Sequence, residues 1–294
     1  MSDYLTKAIS NDGLLRAYAV DATELVQEAQ QRHDTWSASS AAMGRSMVGT
    51  LLISTATLQG EQKLTTRVVG DGPVGAIVVD GNANGDIKGY VQHPQVNLPL
   101  NPVGKIDVRR AVGTKGMLSV TKDLGLKEPF TGQVPLVSGE LGEDFTYYLA
   151  KSEQIPSAVG LSVFVNADNT IGVAGGFMIQ VLPNADETQL SQIERNIRDL
   201  PLVSELLRQG DTPEKIIERI LGKHQFKILE QMPVQFKCDC SKAHFGDVMV
   251  SLGKNELQKM IDEDGGAEAV CKFCGNKYEY SVADLQALIV QSEG

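Results

Sequence analysis

The stretch CDCSKAHFGDVMVSLGKNELQKMIDEDGGAEAVCKFCG, residues 238–275, contains all four cysteines of the 294-residue chain. Cys238 and Cys240 form a C-x-C pair, and thirty residues separate it from the C-x-x-C pair of Cys271 and Cys274. Four thiolates suit a closed, tetrahedral zinc site with Zn–S bonds of about 2.3 Å. The spacing therefore predicts one zinc ion per chain, bound by these four side chains, in a small C-terminal domain.

The two cysteine pairs make different demands on the backbone. After the second pair, Gly275 and Asn276 permit the tight turn of a zinc knuckle, which aims two sulfurs at one ion. Residues at positions i and i+2 of a strand point to opposite faces. Cys238 and Cys240 can share an ion only if the chain bends, so we predict that residues 238–240 do not form a regular strand.

The spacing is also suited to a redox switch. If the metal leaves, each pair can close a local disulfide, and a bridge across one residue forms a small, strained ring that is readily reduced again. Zinc keeps the sulfurs as thiolates, the form that reacts with peroxide. Structural zinc contributes on the order of 10 to 16 kcal/mol to such a fold. A static zinc clip is an equal alternative on spacing alone, since closed four-cysteine sites are usually structural.

Other residues near the cysteines carry no predicted chemistry. His244 lies four residues after Cys240, but four cysteines already fill the coordination shell, so we interpret it as a surface histidine and Asp239 as a solvated turn residue. A zinc deaminase needs an open metal position and a His-x-Glu element, which occurs at none of the four histidines. The sequence predicts no catalytic residue, and thus a protein that is not an enzyme.

The charge of the chain bears on its partners and location. The formal net charge is -10, and residues 232–294 carry six basic against ten acidic side chains. An acidic chain is not attracted to nucleic acid or to an anionic membrane, so we expect neither as a partner.

The first residues lack the features of a signal peptide, and the apolar run from Met47 to Leu58 is too short to span a bilayer. We expect a cytoplasmic protein whose cysteines stay reduced.

The N-terminal part has the pattern of an α+β domain with a mixed sheet-and-helix architecture that ends near Leu182. Helical spacing covers Thr23–Arg32, Ser39–Gln59 and Glu143–Ser152, and the second of these is rich in small residues that permit close packing in a core. Strand patterns separated by turn residues predict an antiparallel sheet with meander connections. The predicted strands are Leu14–Val20, Leu64–Val69, Ala76–Val79, Ile87–Gln92, Met117–Lys122, Gly132–Leu136, Val159–Val165 and Ile171–Val181.

A helical linker follows the N-terminal domain. Three short amphipathic helices are predicted before Pro201, Gly210 and Gly222, and the third begins at the N-cap Thr212. Isolated helices shorter than about 12 to 15 residues are marginal in water, so these helices must pack against another part of the protein. We predict three regions: an N-terminal core domain of residues 1–182, a metastable linker of residues 183–231 and a zinc-binding domain of residues 232–294.

Several motifs together resemble one known family, the redox-regulated heat-shock chaperones called 33 kDa chaperonins. The resemblance covers essentially the whole chain, and it includes both cysteine pairs. The other motifs are Ser40-Ala41-Ala42-Met43-Gly44-Arg45, Gly70-Asp71-Gly72-Pro73, Gly89-Tyr90-Val91, Asp107-Val108-Arg109-Arg110-Ala111-Val112-Gly113 and Thr131-Gly132-Gln133-Val134.

The resemblance implies a function and a mechanism. In that family the reduced, zinc-bound protein is an inactive monomer. Oxidation links neighbouring cysteines, which implies the disulfides Cys238–Cys240 and Cys271–Cys274, and it releases zinc and unfolds the C-terminal domain with its linker. The product is a dimeric holdase that binds unfolded client proteins without ATP. We expect the linker helices to cover an apolar surface of the N-terminal domain while the zinc domain is folded.

Overall fold

The computed structural model of the chain describes residues 2–185 and 187–292. It divides into two compact units, Met1–Lys237 and Cys238–Gly294. The elements of the first unit are β1 (Tyr4–Ser10), β2 (Leu15–Asp21), α1 (Thr23–His33), α2 (Ser37–Thr57), β3 (Lys63–Val69), β4 (Ala76–Asn82), β5 (Asp86–Val91), α3 (Val108–Val112), β6 (Met117–Asp123), β7 (Phe130–Pro135), α4 (Gly142–Lys151), β8 (Ser157–Val165), β9 (Ile171–Val181), α5 (Glu187–Arg198), α6 (Val203–Arg208), α7 (Pro213–Leu221), β10 (Phe226–Pro233) and β11 (Gln235–Phe236).

The strands of the first unit form two sheets. The first sheet has the order β10-β1-β2-β9-β8, and the second has the order β11-β5-β4-β3-β6-β7. Neighbouring strands are antiparallel throughout, except that β11 pairs with β5 in parallel. With helices packed on both sheets, this architecture confirms the predicted α+β fold.

Helix α2 lies in the core and contacts strands of both sheets. Nearly all of its residues are buried, which confirms the core helix predicted from the sequence. Two glycines make the close packing possible. A Cβ at Gly49 would lie 2.4 Å from the Phe145 ring, and one at Gly44 would lie 2.7 Å from Val26. Among the described residues, no helix is both long and apolar enough to cross a membrane.

The three predicted helices after residue 182 are present as α5, α6 and α7. Thr212 caps α7 by accepting a hydrogen bond from the Lys215 N–H, and Gly222 ends the helix with a φ of 98°. The next element, β10, has no counterpart in the sequence prediction. It pairs with β1 along its whole length and forms an edge of the first sheet.

The helices α5, α6 and α7 cover one face of the first sheet. On the sheet side the buried residues come from β1, β2 and β9, and they combine the small side chains of Ala8, Ala17 and Ala19 with the large ones of Leu15, Phe177 and Ile179. The apolar residues buried on the helix side are Ile193, Val203, Leu206, Leu207, Ile216, Ile217, Ile220 and Leu221. Burial of this apolar surface provides the stability that such short helices lack by themselves.

Specific contacts fix α6 on the sheet. The Ser162 hydroxyl donates a buried hydrogen bond of 2.7 Å to Ser204, and the Arg208 guanidinium lies 4.3 Å from the centre of the Phe164 ring. Gly175 on β9 leaves room for α6, because a Cβ there would lie 2.6 Å from Leu207. The position of α6 therefore depends on polar contacts and shape as well as on apolar burial.

Glu214 ties α7 to two strands. Its carboxylate accepts hydrogen bonds from Tyr4 at 3.0 Å, from Thr6 and from Gln231 at 2.5 Å. Burial by itself would raise the pKa of Glu214, but hydrogen bonds from Thr212, Thr6 and Gln231 outweigh it and lower the pKa to about 2. The ionised carboxylate is therefore the form that the folded protein stabilises.

We expect Glu214→Gln to destabilise the first unit at neutral pH, by about 1 kcal/mol after allowance for partial exposure of the side chain. The lowered pKa means that the carboxylate stabilises the fold above its ordinary pKa of 4.5 and loses this effect as the pH falls towards 2. Urea unfolding of both proteins between pH 7 and pH 2.5 should show the difference shrinking. Glu218→Gln, whose carboxylate pairs with exposed Lys215, is the control with a smaller effect. A difference that is independent of pH would contradict the role given to the carboxylate.

Candidate metal centre

The second unit has little apolar surface to bury. Its elements are α8 (Lys242–Val250), α9 (Lys254–Lys259), a π-helical turn (Met260–Asp264), β12 (Gly266–Val270), β13 (Lys277–Ser281) and α10 (Val282–Ser292). The buried hydrophobic residues of its core are Met249, Leu257, Tyr280, Leu285 and Ile289. A domain of roughly 60 residues is marginally stable on such a core, so a further source of stability is needed.

The second cysteine pair lies in the turn of a β-hairpin. Strands β12 and β13 are antiparallel, and their register ends with Val270 opposite Lys277. The Cys271 N–H donates to the Asn276 carbonyl at 2.9 Å, and the Gly275 N–H donates to the Cys271 carbonyl at 2.8 Å. Gly275 has a φ of 74°, which a residue with a side chain adopts only with strain. The tight turn predicted from Gly275 and Asn276 is confirmed.

The first cysteine pair lies in a segment without regular structure, as the C-x-C spacing predicted. Directly after it, the Ser241 hydroxyl caps α8 by accepting a hydrogen bond from the His244 N–H at 3.1 Å. In this irregular segment the sulfurs of Cys238 and Cys240 approach each other to within 4.8 Å, although a strand would direct the two side chains apart.

The structure brings the four predicted cysteines together. Their sulfur atoms all lie within 4.8 Å of one another. The Cys238 and Cys271 sulfurs are 3.8 Å apart, and those of Cys240 and Cys274 are 3.3 Å apart. None of the four forms a disulfide.

This arrangement fits a metal ion. Tetrahedral coordination with Zn–S bonds of about 2.3 Å places the sulfurs about 3.8 Å from one another. The Cys238–Cys271 sulfur distance of 3.8 Å matches that value, the Cys240–Cys274 distance of 3.3 Å is shorter, and four thiols are a donor set that zinc prefers. The cysteines can therefore hold a tetrahedral ion with small adjustments of their side chains.

The thiols differ in their electrostatics. Burial raises the pKa of Cys274 to about 11 and also raises the pKa of Cys238. Burial acts in the same direction on Cys240, but hydrogen bonds with Tyr278 and the neighbouring thiols outweigh it and lower the pKa of Cys240. Cys238 and Cys274 therefore retain protons that a bound cation would displace.

Tyr278, on β13, is part of the site although the sequence analysis did not identify it. Its hydroxyl donates a hydrogen bond of 3.0 Å to the Cys240 carbonyl and lies 3.2 Å from the Cys240 sulfur. Its ring packs against Phe245 with 5.4 Å between ring centres. An aromatic residue four positions after the last cysteine was the available signal, but only the hairpin shows which cysteine it contacts.

The two other polar residues considered in the sequence lie outside the cluster. His244 is exposed on α8, and the group of metal-binding side chains contains the four cysteines without it. Asp239 is exposed between the first two cysteines and is likewise not a member. The candidate coordination shell therefore consists of sulfur alone.

Comparison with known proteins gives one consistent result. The family described as "Hsp33 protein" matches residues 3–281. The 33 kDa chaperonin of Lacticaseibacillus casei is 63% identical over 294 residues, and the alignment covers 100% of both chains. The 33 kDa chaperonin of Listeria monocytogenes is 55% identical over 295 residues, again with 100% of both chains covered.

A solved structure agrees with these relatives. The crystal structure of the 33 kDa chaperonin of Thermotoga maritima matches with a TM-score of 0.91 and 36% identity, covering 100% of this chain and 99% of that one. The fold, the sequence and the cysteine cluster thus all indicate the same family. The chain belongs to the Hsp33 family of chaperones.

Proposed function

We propose that the chain is a redox-regulated, ATP-independent holdase, which binds unfolded proteins after oxidative stress and prevents their aggregation. The convergence of four thiols on one point, in a unit with a small apolar core, carries this proposal. Family membership supports the chaperone function. The protein acts by binding and performs no catalysis.

In the reduced state, Cys238, Cys240, Cys271 and Cys274 hold one zinc ion. An ion bound there would keep the four sulfurs as thiolates and would close the fold of the second unit. The contribution of the chain is to place the sulfurs at tetrahedral spacing, through the knuckle turn of the second pair and the bend of the first. The reduced protein is the inactive form.

Oxidation converts each pair into a disulfide. A thiolate attacks hydrogen peroxide, which yields a sulfenic acid and hydroxide. The neighbouring thiol then attacks the sulfenic sulfur, which forms the disulfide and releases water. The pairs Cys238–Cys240 and Cys271–Cys274 are adjacent along the chain, so each can close locally. Disulfide sulfurs no longer bind the metal as thiolates, and the second unit loses its main source of stability.

Loss of structure then extends into the linker. A single residue, Lys237, separates β11 from Cys238, so the cluster follows directly on the strands that end the first unit. The helices α5, α6 and α7 are short and depend on packing for stability. Their release uncovers the apolar face of the first sheet, and this face binds clients.

The oxidation state and the charge of the chain determine its expected partners and location. The oxidised protein forms a homodimer in the cytoplasm, where thiols are reduced until stress occurs. Its partners are unfolded proteins. The acidic balance of the chain, 37 acidic against 27 basic residues, argues against nucleic acid and membranes as partners.

An oxidation assay separates this function from a static zinc domain in a protein-interaction or nucleic-acid-binding module. Peroxide is added to the reduced, zinc-loaded chain while a colorimetric chelator reports zinc and light scattering reports aggregation of a heat-denatured client. We expect release of one zinc ion per chain together with strong suppression of aggregation. A chain that keeps its zinc, or that releases zinc without suppressing aggregation, would be a static zinc domain.

A further inference from the structure

Tyr278 connects the two halves of the cysteine cluster. It lies on β13, directly after the turn that carries Cys271 and Cys274, whereas its hydroxyl contacts Cys240 of the first pair. The second pair is fixed by the backbone hydrogen bonds of its turn. The first pair lies in a segment without regular structure, so contacts with the hairpin matter more for its position.

The geometry of Tyr278 suits a residue that orients a ligand. One hydroxyl lies within hydrogen-bonding distance of both the carbonyl oxygen and the sulfur of Cys240, at 3.0 Å and 3.2 Å. It therefore acts on the backbone and on the side chain of the same residue. The tilted contact with Phe245 restrains the ring and so aims the hydroxyl.

We propose that Tyr278 is a positioning residue of the metal centre, whose hydroxyl holds Cys240 against the β12–β13 hairpin and thereby slows metal loss and attack on the Cys240 sulfur. The inference rests on the proposed role of the four cysteines as metal ligands. Groups that orient metal ligands commonly change metal affinity by about 10- to 100-fold when they are removed. The one hydroxyl proton, shared between the Cys240 carbonyl and its thiolate, also reduces the electron density with which the sulfur attacks an oxidant or alkylating agent.

The test compares Tyr278→Phe with Tyr280→Phe in the full-length, reduced chain. Both changes remove one hydroxyl from the same strand, but the Tyr280 hydroxyl donates its proton to the Lys242 carbonyl. Zinc affinity is measured by competition with a chelator, and alkylation of each cysteine by iodoacetamide is followed by mass spectrometry. We expect Tyr278→Phe to weaken zinc binding about 10-fold and to accelerate alkylation of Cys240 more than that of Cys271. Tyr280→Phe should leave the order of cysteine reactivity unchanged.

Two further variants separate the hydroxyl from the ring. Phe245→Leu loosens the packing of the Tyr278 ring but keeps its hydroxyl, so it should preserve most of the protection of Cys240. Equal losses in Phe245→Leu and Tyr278→Phe would overturn the proposal in favour of ring packing. If Tyr278→Phe does not fold, 3-fluorotyrosine at position 278 offers a stronger donor and should slow alkylation of Cys240; an unchanged or faster rate would overturn the proposal.

The outcomes also distinguish this inference from the proposed function. A native chain that binds no zinc would overturn both. Suppose instead that the native chain binds zinc, and that Tyr278→Phe keeps its zinc affinity and its rate of Cys240 alkylation within twofold of the native values. That result would overturn the role of Tyr278 alone.

Discussion

Replacing Cys271 and Cys274 by serine is expected to abolish zinc binding and to unfold residues 238–292 while the core of the first unit stays folded. Structural zinc contributes on the order of 10 to 16 kcal/mol to the stability of a fold. The apolar core of the second unit is too small to replace that contribution. Hydrogen exchange should show loss of protection in β12, β13 and α10 and retained protection in α2. A zinc assay on the purified reduced protein gives the stoichiometry.

The matched control for this double variant is His244→Ser. His244 lies in the same unit and is exposed outside the cluster. The His244→Ser variant should therefore bind one zinc ion and keep the native protection from hydrogen exchange. The account would fail if the double serine variant kept native protection in the hairpin, or if His244→Ser lost the metal.

Introducing a charge beneath the linker is expected to activate the reduced protein without oxidation. Ile217 on α7 has no exposed surface and packs in the apolar cluster between the linker helices and the first sheet. Large-to-small changes at such positions already destabilise by about 2 to 5 kcal/mol, and an unpaired buried carboxylate adds a desolvation penalty. Ile217→Asp should therefore release α7 and expose the face of β1 and β2.

Gln192→Asp on α5 is the control for Ile217→Asp, because it adds the same charge at an exposed position of the linker. With zinc bound, Ile217→Asp should suppress client aggregation to the level of the oxidised native chain, and Gln192→Asp should not. Thermal unfolding checks that the rest of the first unit remains folded. If Ile217→Asp released the linker, as shown by hydrogen exchange, and still bound no clients, the covered face would not be the client-binding surface.

Local sequence patterns predicted the interior of the first unit well. The burial of β3 to β6 alternates along the chain, as their sequence patterns predicted, whereas α2 is buried on nearly all sides and was recognised from its helical spacing and small residues. The strands β1, β10 and β11 were missed. Most of β10 is exposed and lacks an alternating pattern, and it is a strand because it pairs with β1, more than 200 residues earlier. Pairing over such a separation leaves no local signal.

The cysteine cluster was predictable and its surroundings were not. Cys238, Cys240, Cys271 and Cys274 are recognisable from their spacing, because the chemistry of a zinc site constrains residue type and separation. Tyr278 and Glu214 depend instead on which strands and helices meet in three dimensions. A tyrosine beside a knuckle, or a glutamate in the first turn of a helix, has many other uses on a protein surface.

Hydrogen exchange of residues 187–221, recorded while peroxide releases zinc from the full-length chain, tests the coupling between the metal and the linker most directly. We expect α5, α6 and α7 to lose protection in step with zinc release and to regain it when a reductant and zinc are restored. Linker helices that stayed equally protected after complete zinc release would contradict the account.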